Sequence, residues 1–344
     1  MSTGAGPVDW SAAARIAGRL APPGPVADHG ELTALVDELR ASAARAAAHV
    51  VETTRMDPGR PAAELSQVLV VDRPGWARAN TQLFAVMAEP LLESHPQASA
   101  AARLGSAAQV GAVLALLAGK VLGQFDPFTA PGQGRLLLVA PNVLHHERTL
   151  GVDPSDFRLW VALHEQTHAL QFAAAPWLAG HVRSRSAELL EGFTHDDEDS
   201  LADLFSSVAR ALTGPGGGVL GVLDERQRAV FDEVSGIMAL LEGHADVTMD
   251  AVGPSVVPSV GHIRRKFEAK RDSSARSRGL ERVLRRVLGM DLKLAQYRDG
   301  AAFVRGARAR VGVAAFNAVW AGPENLPTAD EIHDPGAWVR RVHG

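Results

Sequence analysis

His164-Glu165-Gln166-Thr167-His168 sets two imidazoles four residues apart, with a carboxylate between them. On a helix, residues four apart share a face, and both rings can then reach one cation about 2 Å from each nitrogen. No other feature restricts the fold as strongly. The pair works only on a helix, and only opposite a second element that brings a further ligand. The residues upstream specify such a helix: Asp153 is suited to the N-cap, Pro154 to the first helical position, and Asp156 to the positive end of the helix dipole. The pattern predicts a helix running to about Phe172.

The supply of ligands is narrow. The 344 residues include 13 histidines and no cysteine. Disulfides, thiolate metal sites and cysteine nucleophiles are therefore excluded, and a metal must be held by His, Asp and Glu. A catalytic zinc site wants three protein ligands and one open position. Glu242 is the candidate for the third. It follows the apolar face Phe231, Val234, Ile237, Met238 and Leu241 of a helix opened by Asp224 and Gln227 at capping-box spacing. An unpaired carboxylate would be costly to bury there. Asp246, one turn on, shares that face and is placed to accept a hydrogen bond from the far ring nitrogen of a ligating histidine. His244 is the rival ligand, but it lies about 200° around the helix from Glu242, so the two are not expected to bind one ion. Glu165 points beside the histidines, where it can take a proton from a water held by the metal.

The rest of the chain reads as mainly α with a small β-sheet (α+β). Helices are expected at Trp10–Leu20, 29–56, 79–92, 106–122 and 279–314. Val68–Val71 reads as a strand closed by the turn Asp72-Arg73-Pro74-Gly75, and Arg135–Ala140 as the clearest strand. Residues 254–278 read as a loop and 322–344 as a Pro-rich irregular tail; His145 and His146 read as a solvated pair in a loop. The expected organisation is a mostly helical region, 1–130, and a catalytic region, 131–344, within one compact unit. With 46% apolar residues a packed core is feasible, and a net charge of −4 gives no pull toward nucleic acid. The basic stretch 263–286 reads as a solvated face balanced by Asp196–Asp199, and that acidic run lacks the spaced oxygens of a calcium loop. Gly216-x-Gly218-x-x-Gly221 follows no strand and is not read as a nucleotide site. The N-terminus lacks the basic start and apolar core of a signal peptide. The apolar stretch Val110–Leu122 is too short to span a bilayer and reads as a buried helix. A cytoplasmic protein with no membrane partner is expected.

The His164–His168 motif with Glu242 and Asp246 resembles the gluzincin branch of the zincins, although the stretch from His168 to Glu242 is longer than in many of them. In closer detail the chain resembles an actinobacterial family of zinc-dependent metalloproteases or hydrolases. The shared features are Val8-Asp9-Trp10, Val71-Asp72-Arg73-Pro74-Gly75-Trp76, the histidine motif through Gln171-Phe172, and Glu242-Gly243-His244-x-Asp246. Further on come Lys293-x-x-Gln296-Tyr297-x-x-Gly300-x-x-Phe303, Trp320 and Pro323-Glu324-x-Leu326-Pro327-Thr328. Some members carry a label of association with biosynthesis of a deazaflavin coenzyme. The resemblance implies a zincin-like core, one zinc ion and a metallohydrolase, most simply a peptidase acting on a peptide or small amide. The alternatives are a non-catalytic, zinc-stabilised binding or scaffold protein and a hydrolase of a non-peptide amide metabolite. The intact Glu165 favours an enzyme over a scaffold. Tyr297, in the Lys293–Phe303 segment, and His244 are the candidates for stabilising the oxyanion. Arg135–Ala140 reads either as an edge strand that pairs with an extended substrate or, equally, as an ordinary core strand.

Overall fold

The computed structural model describes residues 8–92, 99–130, 132–191, 224–275 and 290–344. Asp196–Asp199, the glycine-rich stretch around Gly216 and the basic residues 276–286 lie outside them. The first helices, α1 (Trp10–Leu20) and α2 (His29–Thr54), start where Asp9 and Asp28 accept hydrogen bonds from backbone N–H groups of the first turn. Strand β1 (Gln67–Val71) follows. The turn expected at Asp72–Gly75 is instead the start of α3 (Arg73–Leu92). Asp72 Oδ1 accepts from the Gly75 N–H at 2.7 Å and caps the helix, and Pro74 lies in its first turn, where no N–H is needed.

Helix α4 (Ala100–Ala118) precedes β2 (Gly123–Asp126) and β3 (Arg135–Val139). By length and composition α4 could cross a membrane, the only such helix among the described residues. The buried helix expected here buries only one face: α4 packs on α1 and α3 and leaves Leu104, Val113 and Leu116 exposed. Helix α5 (Ala140–Leu150) puts His145 and His146 on a helix rather than in a loop, with His146 Nδ1 3.0 Å from the Asn142 carbonyl. Burial, the main cause, lowers the His146 pKa to about 4. Next come α6 (Pro154–Ala174), α7 (Trp177–Glu191) and α8 (Glu225–Ala251). The Asp153 cap of α6 and the Asp224/Gln227 capping box of α8 both form.

Helix α9 (Val260–Ala275) occupies the expected loop, and α10 (Met290–Phe316) is interrupted at Gly312, where φ is 80°. The tail is not irregular. A Thr328/Glu331 capping box opens α11 (Ala329–His333), and Asp334 caps α12 (Pro335–His343).

The sheet order is β1-β3-β2, with β1 parallel and β2 antiparallel to β3. The Arg135–Ala140 segment is therefore the central strand, which answers to the core-strand reading and corrects the edge-strand alternative. Leu136, Leu137, Leu138 and Val139 are buried, as a strand covered on both faces requires. The edge strands are β1 and β2. Asp126 fastens β2 to β3: its Oδ2 accepts from Arg135 Nη2 at 2.7 Å, and its Oδ1 accepts from the N–H groups of Phe128 and Thr129. Helix α6 forms the middle of the larger core, packed against α2, α8 and the strands. Most of its residues from Phe157 to Gln171 are buried; His164 and His168 are half-buried.

Candidate metal centre

Helices α6 and α8 face each other across His164, His168 and Glu242. The Nε2 atoms of the two histidines are 3.2 Å apart, and Glu242 Oε2 lies 3.3 Å from one and 3.7 Å from the other. Ligands held tetrahedrally at zinc bond lengths of about 2.0–2.1 Å are separated by roughly 3.3 Å. The three atoms thus stand at the corners such an ion requires. Glu242 Oε2 is also buried without a hydrogen-bond partner, which is costly unless a cation faces it. Two imidazole nitrogens and one carboxylate oxygen form a donor set suited to zinc. The residues fit the ion, and they would hold it through these three atoms.

The electrostatics favour positive charge at this point. Burial alone would push the Glu242 carboxyl up, but the two facing imidazoles outweigh it and leave its pKa lowered. Burial alone would lower His168; in the metal-free site the Glu242 carboxylate overcomes it and raises His168 to about 9, so a bound cation takes the place of the Nε2 proton.

A second layer fixes which nitrogen of His168 carries the proton. The fully buried Gln171 makes three contacts: its Nε2 is 2.9 Å from the Leu241 carbonyl and 3.0 Å from His244 Nδ1, and its Oε1 is 2.9 Å from His168 Nδ1. A carbonyl can only accept, so the amide nitrogen must face Leu241. That leaves Oε1 to accept from His168 Nδ1–H and frees the His168 Nε2 lone pair for a metal. The same logic makes His244 Nδ1 an acceptor and puts its proton on Nε2, which is buried without a partner.

Glu165 is buried beside the ligands, and burial raises its pKa. It lies against Gly123 of β2, where an added Cβ would come within 2.6 Å of Glu165 Cγ and 2.8 Å of its Oε1. Only glycine leaves room at this strand position for the carboxylate.

Two expectations need correction. Asp246 does not back a histidine: its Oδ1 accepts from Arg264 Nη1 at 2.6 Å, and Asp250 pairs with the same guanidinium at 2.7 Å. Behind His168 stands Gln171 instead. His244 is fully buried, stacked on Phe316 and edge-on to Trp320, so it supports Gln171 and does not face the ligand-bearing cleft. Tyr297 falls in α10, but its side chain lies outside the described residues. Sequence reasoning missed the roles of Gln171 and Gly123. Gln171 had a signal, since it stands one helical turn beyond His168; Gly123 had none.

A family model described as zincin-like metallopeptidase matches residues 8–339. A solved structure described as "a putative hydrolase with a novel fold", from Chloroflexus aurantiacus, is 32% identical, covers 97% of this chain and 98% of its own, and superposes with a TM-score of 0.68. No curated protein matches.

Proposed function

The chain belongs to the zincin-like metallopeptidase family, and we propose that it is a zinc-dependent hydrolase that cleaves an amide bond, most simply a peptide bond. The observation that carries this reading is the tetrahedral spacing of His164, His168 and Glu242 with a buried carboxylate, Glu165, beside them. A purely structural zinc site has no use for that fourth group, and its burial without a cation partner would be a cost.

Zinc in this position supplies a Lewis acid that polarises a carbonyl oxygen and makes water acidic near neutral pH. Glu165 accepts the proton from the attacking water and delivers it to the departing amine nitrogen. Burial raises its pKa, which favours the protonated form that passes the proton on to the amine. Gln171 keeps the His168 Nε2 lone pair directed at the ion. Strand β2, paired on one side only, offers its free edge to an extended backbone beside Glu165.

The test combines metal analysis of the purified protein with cleavage of a peptide library, with and without chelator. About one zinc per chain is expected, with cleavage abolished by the chelator and restored by zinc. Glu165→Gln should keep its zinc and lose roughly 10²–10⁴ in rate, the usual share of a general base. A Glu165→Gln variant as fast as wild type would overturn the role of Glu165. Zinc without any cleavage would favour a binding protein on the same fold, and absence of zinc would remove the metal assignment.

A further inference from the structure

The metal centre lies at one end of the contact between β2 and α6, and the other end is a cleft that the chemistry above leaves unused. Gly123 and Phe125 are two residues apart on β2 and share its α6-facing side. Gly123 meets Glu165, and Phe125 meets Phe172, with ring centroids 5.7 Å apart. Phe125, Phe172, Ala169, Ala173 and Pro176 line a cleft whose empty space, mouth included, is about 480 Å³. Ala169 directly follows the ligand His168. Gly134, in the left-handed region at φ 72°, closes the strand side; a Cβ there would sit 2.4 Å from Phe125 Cζ and drive the ring out of place. Arg60 also borders the cleft, with its guanidinium bonded to the Gly132 carbonyl.

We infer that this cleft receives an apolar side chain of the substrate, of leucine, methionine or phenylalanine size. The inference rests on the hydrolase reading and adds a specificity pocket to it. The spacing supports it. From Gly123 to Phe125 the strand advances about 6.6 Å, at 3.3 Å per residue. An extended peptide laid along β2 repeats its same-side side chains at that interval. A chain whose scissile carbonyl stands beside Glu165 therefore brings a nearby side chain to the cleft. The lining supports it as well: Arg60 and Gln133 stand at the border, and the two phenylalanine rings, three alanines and two prolines of the lining solvate an apolar group.

The experiment uses the zinc-loaded full-length Glu165→Gln protein, which retains substrate for analysis, and a soluble library of random octapeptides whose bound fraction is read by mass spectrometry. Enrichment of Leu, Ile, Met or Phe at one position is expected. Adding Ala173→Trp, which fills the cleft, should cut that enrichment by roughly tenfold or more, the loss expected when a side chain of this size goes unburied. Ala179→Phe, at another lining position, serves as a second filling variant should Ala173→Trp fail to fold. Zinc content and melting temperature are measured for each variant. Bound peptides with no apolar preference, a preference unchanged in filled variants of normal zinc content, or no bound peptide at all would each overturn the cleft assignment. The hydrolase reading is judged separately by chelator-sensitive cleavage in the wild type, so either can fail alone.

Discussion

Gln171 decides the proton arrangement of the centre, because its amide is held in one orientation by the Leu241 carbonyl. Replacing it with Leu keeps the volume but removes the acceptor for His168 Nδ1–H, and the ring is then free to rotate or change tautomer. Zinc affinity in Gln171→Leu should fall about 10–100-fold, measured by competition with a chromophoric chelator. Affinity equal to wild type would mean that something else orients His168. Residues whose position is set by local spacing were legible in advance: His164, Glu165 and His168 share one stretch of a capped helix, and Glu242 closes an apolar face. Residues whose role depends on a partner distant in sequence were not. Asp246 had the right spacing for a histidine, but Arg264 comes from α9, in a segment read as a loop. His244 was placed correctly on the far side of its helix. What that side faces, Phe316 and Trp320, depends on the fold of the tail.

At the level of elements, α8 and α10 cross with their backbones in contact. A Cβ at Gly243 would lie 2.1 Å from the Gly300 carbonyl carbon, and one at Gly300 would lie 1.9 Å from the Ala239 oxygen. Gly243 adjoins the ligand Glu242, so this crossing also sets where the carboxylate stands. Gly243→Ala gains up to about 1 kcal/mol in helix propensity, but it must separate two backbones rather than one flexible side chain. A net loss of about 1–3 kcal/mol in denaturant unfolding is expected, together with weaker zinc binding. Gly105→Ala is the contrasting case: it lies within α4 with nothing within 4 Å of the added carbon, and should stabilise by roughly 0.5–1 kcal/mol. If both variants moved in the same direction, the crossing would not be the constraint. The long helices with Asp caps could be read from sequence because cap and periodicity agree. Strand β2 could not, since four residues carry no periodicity and its place is fixed by contact with β3 and α6. The tail was misread because its prolines suggested irregular structure, whereas Thr328 and Asp334 start helices there.

For the whole molecule, the proposed ligands come from two helices well separated in sequence, and both belong to the larger core. That core also takes in residues from α2 and α10, and the sheet pairs β1 with a strand from much further along the chain. A metal ion held by α6 and α8 would therefore tie together parts that the unfolded chain holds far apart. An ion that binds only the folded state stabilises by RT ln(1 + [L]/Kd), about 4 kcal/mol at a thousandfold excess over Kd. In a chain of 344 residues the enthalpy of unfolding is large, so this amounts to only a few degrees in Tm. Chelator should lower the melting temperature by that amount, and added zinc should restore it. Glu165→Gln should show the same zinc-dependent shift as wild type, because it removes no ligand, while His164→Ala should show none. A His164→Ala protein whose melting still responds to zinc like wild type would place the stabilising ion elsewhere. A Glu165→Gln protein that loses the shift would make that carboxylate a ligand rather than a base.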